Sequence, residues 1–199
     1  GTNGKTSITN MIADALERQS KSIAFNRTGA NLAYGVATTL LQTKGTVEWG
    51  VFESDELWLA HTLPQVQADY VLLLNLFRDQ LDRCGEIDRV QDAIATALEQ
   101  SPNTTLLYNA DDPLCTIIAQ RVSNKSVAFG VGEDMHQRQN VVADAQMCQR
   151  CSAMFTYGYR QYGQLGTYSC PNCGFGRPDL DFAAKSVVFG DGITFSVEE

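Results

Sequence analysis

Gly1-Thr2-Asn3-Gly4-Lys5-Thr6-Ser7 opens the chain and reads as a phosphate-binding loop running into a helix. A glycine-rich turn at a helix start leaves backbone N–H groups free to face phosphate oxygens. Lys5 can then reach the β- and γ-phosphates of ATP, and the Thr6 hydroxyl can hold Mg²⁺. Gly1 to Ser7 are therefore the candidate ATP-contacting residues, with Lys5 the candidate catalytic cation. Such a loop hangs from a buried strand. The reading expects that strand upstream of Gly1, and the chain to be a piece of a longer protein.

Working outward, Ile8, Met11, Ile12, Ala15 and Leu16 recur at helical spacing, which predicts an amphipathic helix from the loop to about Gln19. Strands are expected at Ser22–Asn26, Thr46–Phe52, Asp69–Asn75, Thr104–Tyr108 and Ser126–Phe129. Helices are expected at Leu32–Gln42, Glu86–Gln100 and Pro113–Gln120, and Val90, Ile94, Ala97 and Leu98 form the apolar side of the second. Strands alternating with helices at this spacing predict βαβ units and a mostly parallel three-layer α/β domain. Beyond Gly132 the character shifts to a polar stretch, then a segment dense in Cys, aromatics and Gly. Ser186–Phe189 and Ile193–Val197, joined across Gly190-Asp191-Gly192, read as a β-hairpin.

The chain of 199 residues carries a net charge of −8. That balance argues against a nucleic-acid-coating role, which needs Lys and Arg to neutralise phosphates. No stretch approaches the roughly 20 apolar residues of a membrane span, and the longest apolar run, Tyr70 to Leu74, suits a buried strand. A loop of this type at the first residue also leaves no signal peptide in view, so a cytoplasmic setting is expected.

Cys148-Gln149-Arg150-Cys151 and Cys170-Pro171-Asn172-Cys173 are two C-x-x-C knuckles separated by 18 residues. That spacing places four thiolates around a structural Zn²⁺, as in zinc ribbons. Two disulfides or a redox pair are the alternatives, which a cytosolic setting disfavours. Phe155, Tyr157, Tyr159, Tyr162, Tyr168 and Phe175 are expected to form the ribbon's small core, or else a docking surface. Cys84 and Cys115 lack knuckle spacing and read as buried thiols. His61 and His136 are isolated and carry no assignment.

Three further points fall at strand ends, where open α/β sheets bind ligands. Glu53 closes the Thr46–Phe52 strand and can serve Mg²⁺, or be a solvated strand end. Asp55 is positioned to cap a following helix. Asn75 to Arg83 crowds charged and amide side chains after the next strand. Asn109-Ala110-Asp111-Asp112-Pro113 follows another, and equally fits a helix N-cap with proline in the first turn.

Together these strings resemble the Mur ligase central domain. Gly1 to Thr6 looks like that family's phosphate loop, Asn75 to Asp82 like its Asn…Asp-His-x-Asp segment, and Asn109 to Asp112 like its nucleotide-contacting Asn-x-Asp-Asp. The Arg78 to Asp88 string and the inserted four-cysteine ribbon are similar to the isoglutaminyl synthase branch of the family.

The resemblance implies an ATP-binding central domain over residues 1–145 that lacks its first strand, a zinc ribbon at 146–180, and a hairpin at 181–199 returning to the central domain. A C-terminal ligase domain would lie outside the chain. Lys5 would bind phosphates, Thr6 and Glu53 would serve Mg²⁺, Asn109 would lie near the nucleoside, and Cys148, Cys151, Cys170 and Cys173 would hold zinc. Gln80 stands where relatives carry a metal-binding histidine, and residues 85–100 lack a lysine for a carbamoylated bridge. Arg27 to Asn31 would face the acceptor.

The implied reaction is ATP-dependent amidation of the α-carboxyl of D-Glu in lipid II. Ammonia would come from a GatD-like glutaminase subunit in a heterodimer, acting at the inner face of the membrane. The alternatives are another ligase of the group, such as a folylpolyglutamate synthase, or a ribbon-bearing P-loop binding module.

Overall fold

In the computed structural model, residues 4–25, 33–77, 86–136 and 145–199 are described. The first half alternates as expected: α1 (Lys5–Arg18), β1 (Ile23–Phe25), α2 (Ala33–Gln42), β2 (Trp49–Val51), α3 (Leu59–Val66), β3 (Tyr70–Leu73) and α4 (Glu86–Glu99). Then follow β4 (Thr105–Asn109), α5 (Pro113–Ala119), β5 (Ser126–Val131), β6 (Thr156–Tyr162), β7 (Leu165–Ser169), β8 (Phe182–Phe189) and β9 (Ile193–Glu198). Gly4 starts α1 at φ 87°, the left-handed region that glycine enters without a Cβ penalty.

β1 and β2 pair in parallel as a two-stranded ladder. A five-stranded sheet runs in the order β3-β4-β5-β8-β9. It is parallel throughout except for the β8–β9 hairpin. The mixed α/β, mostly parallel fold expected from the alternation is therefore present. The single sheet of the sequence reading appears as two ladders among the described residues.

The core lies around β4. Leu106 and Tyr108 on β4 meet Ile94, Ala97 and Leu98 of α4 and Leu114 and Ile118 of α5, all buried. The apolar side predicted for α4 is thus the buried one. α1 departs from its expectation. Ala13 is its buried residue, while Met11 is 65% exposed and Ile12 37%. The helix packs on β1 and β2, and a two-stranded ladder is too narrow to cover the whole apolar stripe. β2 is also shorter than the predicted strand, because pairing with β1 extends only from Trp49 to Val51.

Asp55 does not cap α3. The helix begins at Leu59 with Trp58 at the cap position, and Asp55 instead accepts the Leu57 N–H at 3.1 Å in a local turn. The β8–β9 hairpin is longer than predicted, starting at Phe182, because β8 also pairs in parallel with β5 through Phe182, Ala183 and Ala184. β6 and β7 form a separate antiparallel pair between the two knuckles. Arg27 to Asn31, Asp79, Gln80, Asp82, Arg83 and Cys84 lie outside the described residues, as do Gly1, Thr2 and Asn3.

Candidate functional site

Two carboxylates from the segment after β2, Glu53 and Glu56, meet the start of α1. The Thr6 hydroxyl donates to Glu53 Oε2 at 2.8 Å. Lys5 Nζ lies 3.0 Å from Glu56 Oε1, with both side chains largely buried at 20% and 12% exposure. α1 presents its first turn here because Gly4 turns the chain and the Gly4 carbonyl accepts from Ile8 N–H at 2.9 Å. Glu53 lies two residues past the end of β2 at Val51, and its contact with Thr6 brings the β2 exit to the helix start. Two hard oxygen donors side by side, next to a cation, suit a Mg²⁺–phosphate ligand. Glu56 was not legible in the sequence, where it is one carboxylate in an acidic turn.

Asn109 is the last residue of β4. Its Oδ1 accepts the Asp111 N–H at 3.1 Å, and its carbonyl accepts from Asp112 N–H at 3.2 Å, so the turn is tightly wound. Asp112 caps α5, accepting the Leu114 N–H at 2.9 Å, with Pro113 at the first helical position. Its other oxygen accepts the Leu76 N–H at 2.8 Å, tying the β3 exit to the β4 exit. Complete burial pushes the Asp112 carboxyl up to about 6, against the pull of the Leu76 and Leu114 amides.

Asp111 is nearly as enclosed. Burial pushes it also to about 6, opposed by the Arg177 guanidinium 2.7 Å away and by the Val131 N–H at 2.8 Å. Gly130 makes room for it: a Cβ there would come within 2.6 Å of Asp111 Oδ1.

Cys148, Cys151, Cys170 and Cys173 come together, their Sγ atoms all within 4.8 Å of one another. The two knuckles are built alike. The Cys148 carbonyl accepts from Ser152 N–H at 2.7 Å, and that of Cys170 from Gly174 N–H at 3.1 Å. The Cys148 N–H donates to Ala153 O at 2.8 Å, and that of Cys170 to Phe175 O at 2.7 Å. Ser152 and Gly174, each following the second cysteine of its knuckle, both take positive φ, 60° and 74°.

The Cys148–Cys173 and Cys151–Cys170 sulfurs stand 3.5 and 3.4 Å apart. That is far beyond the roughly 2.05 Å of a disulfide. It is close to the ~3.8 Å edge of a tetrahedron with 2.3 Å metal–sulfur bonds. The donor set thus fits a tetrahedral thiophilic ion. The Asn172 side chain, then the Ala153 amide, favour the ionised sulfur of Cys151 and lower its thiol from the ordinary value.

Phe155, Tyr168 and Phe175 form the small core beside the cysteines, with Tyr157 packed against it. Tyr159 and Tyr162, expected in that core, serve elsewhere. The Tyr159 hydroxyl donates to Val131 O at 2.7 Å. Tyr162 is 55% exposed and meets Phe77 edge-on. Cys115 is fully buried, as its lack of spacing suggested.

Residues 1–168 match the Mur ligase middle domain. The chain belongs to the Mur ligase family. It is 33% identical over 193 residues to the MurT subunit of lipid II isoglutaminyl synthase (glutamine-hydrolyzing) from Streptococcus pneumoniae, covering 94% of this chain and 43% of that protein. The Staphylococcus aureus MurT subunit is also 33% identical, over 94% of this chain and 42% of its own length. UDP-N-acetylmuramoylalanine–D-glutamate ligase of Koribacter versatilis is 28% identical over 65% of this chain and 28% of that protein. The chain thus spans under half the length of the curated relatives it matches. No helix among the described residues is long and apolar enough to cross a membrane.

Proposed function

We propose that this Mur ligase chain is the nucleotide-binding part of an ATP-dependent amide ligase of peptidoglycan synthesis, the MurT type of lipid II isoglutaminyl synthase. The observation that carries the reading is the meeting of Lys5, Thr6 and Glu53 at the head of α1, beneath the sequence of a phosphate loop. On this reading Gly1 to Ser7 form the P-loop around the ATP phosphates. Lys5 leaves Glu56 to neutralise the transferring phosphoryl. Thr6 and Glu53 hold Mg²⁺, which would supply the remaining positive charge, and Asn109 lies at the nucleoside. Residues 1–145 then form the ATP-binding body, 146–180 a structural zinc ribbon set into it on Cys148, Cys151, Cys170 and Cys173, and 181–199 the hairpin that rejoins the sheet.

The chemistry is activation of a carboxylate. An oxygen of the D-Glu α-carboxyl in lipid II attacks the γ-phosphorus, giving an acyl phosphate and ADP. Ammonia then displaces phosphate to leave the carboxamide. The ammonia comes from glutamine through a GatD-like glutaminase subunit, at the cytoplasmic face of the membrane that holds lipid II. The names of the S. pneumoniae and S. aureus relatives support this choice within the family.

The test is to co-express the full-length protein with a glutaminase partner and measure lipid II by mass spectrometry. Conversion of one carboxyl per stem to a carboxamide is the expected result, lost with Lys5→Ala. Unaltered lipid II from an assembled, folded complex would overturn the substrate assignment.

A further inference from the structure

The four-cysteine module does more than sit on the α/β body. The tip of the β6–β7 hairpin and the segment after the second knuckle reach into two strand exits. Gln164, fully buried, donates from Nε2 to the Leu76 carbonyl at 2.9 Å. Leu76 N–H is meanwhile held by Asp112, so this one residue after β3 is gripped through both its N–H and its carbonyl. Gly166 N–H donates to the Asp111 carbonyl at 3.0 Å. Arg177 Nη1 gathers Asp111 Oδ1 at 2.7 Å, Tyr159 OH at 2.9 Å, Val131 O at 3.1 Å and Thr167 Oγ1 at 3.3 Å.

These are buried, directional contacts, and the guanidinium is the cation beside a carboxylate that is 5% exposed. Asp111 and Asp112 are the two residues that wind the turn after Asn109. Asn109 spends its side-chain carbonyl on that turn, so the direction of its amide NH₂ depends on where Asp111 N–H is held.

We propose that Gln164 and Arg177 are positioning residues for the nucleoside end of the nucleotide site. They act through the Asn109–Pro113 turn and the β3 exit, and so make the cysteine module part of the ligand-binding apparatus. The proposal rests on the reading of Asn109 as a nucleoside contact. Arg177 fixes the turn from the β5 side, and Gln164 fixes it from the β3 side by way of Leu76 and Asp112. Neither residue approaches the phosphate end at Lys5, Thr6 and Glu53 in any contact described above, so their effect is confined to one end of the ligand.

That separation defines the experiment. Magnesium-ATP and magnesium-tripolyphosphate are titrated into the full-length, metal-loaded protein and into Arg177→Met, Arg177→Lys and Gln164→Met variants. Tripolyphosphate probes the loop alone, whereas ATP probes loop and nucleoside together. The expected result is an ATP affinity about tenfold lower in Arg177→Met and Gln164→Met, equivalent to 1.4 kcal/mol. Tripolyphosphate affinity stays within roughly twofold, and Arg177→Lys recovers part of the ATP affinity because it keeps the cation at Asp111.

Equal losses for both ligands would mean general loosening and overturn the proposal, as would unchanged ATP affinity in both variants. If one variant fails to fold, the other approaches the turn from the opposite side and decides the matter. A wild-type protein that binds neither ligand overturns the nucleotide reading itself, and this proposal with it.

Discussion

Thr6 and Glu53 are 47 residues apart in the chain and share a hydrogen bond of 2.8 Å. On the proposed reading, that hydroxyl and carboxylate next to Lys5 would hold a divalent ion beside a phosphate. Thr6→Val and Glu53→Gln should each lower magnesium-ATP affinity by roughly tenfold, the scale of one charge-assisted contact. Affinity for ATP without the metal should change little. Calorimetric titration with and without Mg²⁺ checks this, and an equal loss in both conditions would overturn the proposed metal-binding role of these residues.

Asp112 offers a second test at the same scale. Folding raises its carboxyl from 3.8 to about 6, so the folded chain binds this proton more tightly than the unfolded chain. Its contribution to stability is therefore fully present below about pH 4 and is lost as pH rises to about 6. Thermal melts of Asp112→Asn minus wild type across that window should show the slope removed. Parallel curves would mean that the carboxyl titrates normally.

At the scale of elements, helix α4 and helix α1 present the same kind of apolar periodicity with different outcomes. Leu98 on α4 is fully buried against the β4 core, whereas Met11 on α1 is 65% exposed. Leu98→Ala should cost about 2–5 kcal/mol by leaving a cavity. Met11→Ser should stay within about 0.5 kcal/mol in this chain. Urea unfolding of the two variants measures the contrast. A large cost at Met11 would show that α1 buries its stripe against something other than β1 and β2.

α5 is the element best written in its own sequence. Asp112 and Pro113 mark its first turn, and the structure uses both as such. Asp112 also holds the β3 exit through the Leu76 N–H, which no window of sequence around it encodes.

For the whole molecule, the decisive feature is that the module and the sheet share buried contacts. Asp111, Gln164 and Arg177 join parts of the chain that are otherwise separate in sequence. Metal analysis of the reduced protein should find about one zinc per chain. Because the contacts are shared, loading or stripping that metal should move a single unfolding transition in scanning calorimetry. Two transitions, only one of them metal-sensitive, would show that the module folds independently of the sheet.

The alternation of most helices and strands, the capped start of α5 and the two cysteine knuckles were present in the sequence. Each depends on interactions within a few residues: periodic burial, a cap, a pair of ligands at fixed spacing. The partners of Lys5, the splitting of the sheet into two ladders among the described residues, the open face of α1 and the grip of the module on the β3 and β4 exits were not. Gln164 reaches Leu76 across 88 residues and Arg177 reaches Asp111 across 66. Such pairs depend on where the backbone carries each side chain in space. A buried guanidinium or amide also looks the same in sequence as one in water, and only the tertiary structure decided which these are.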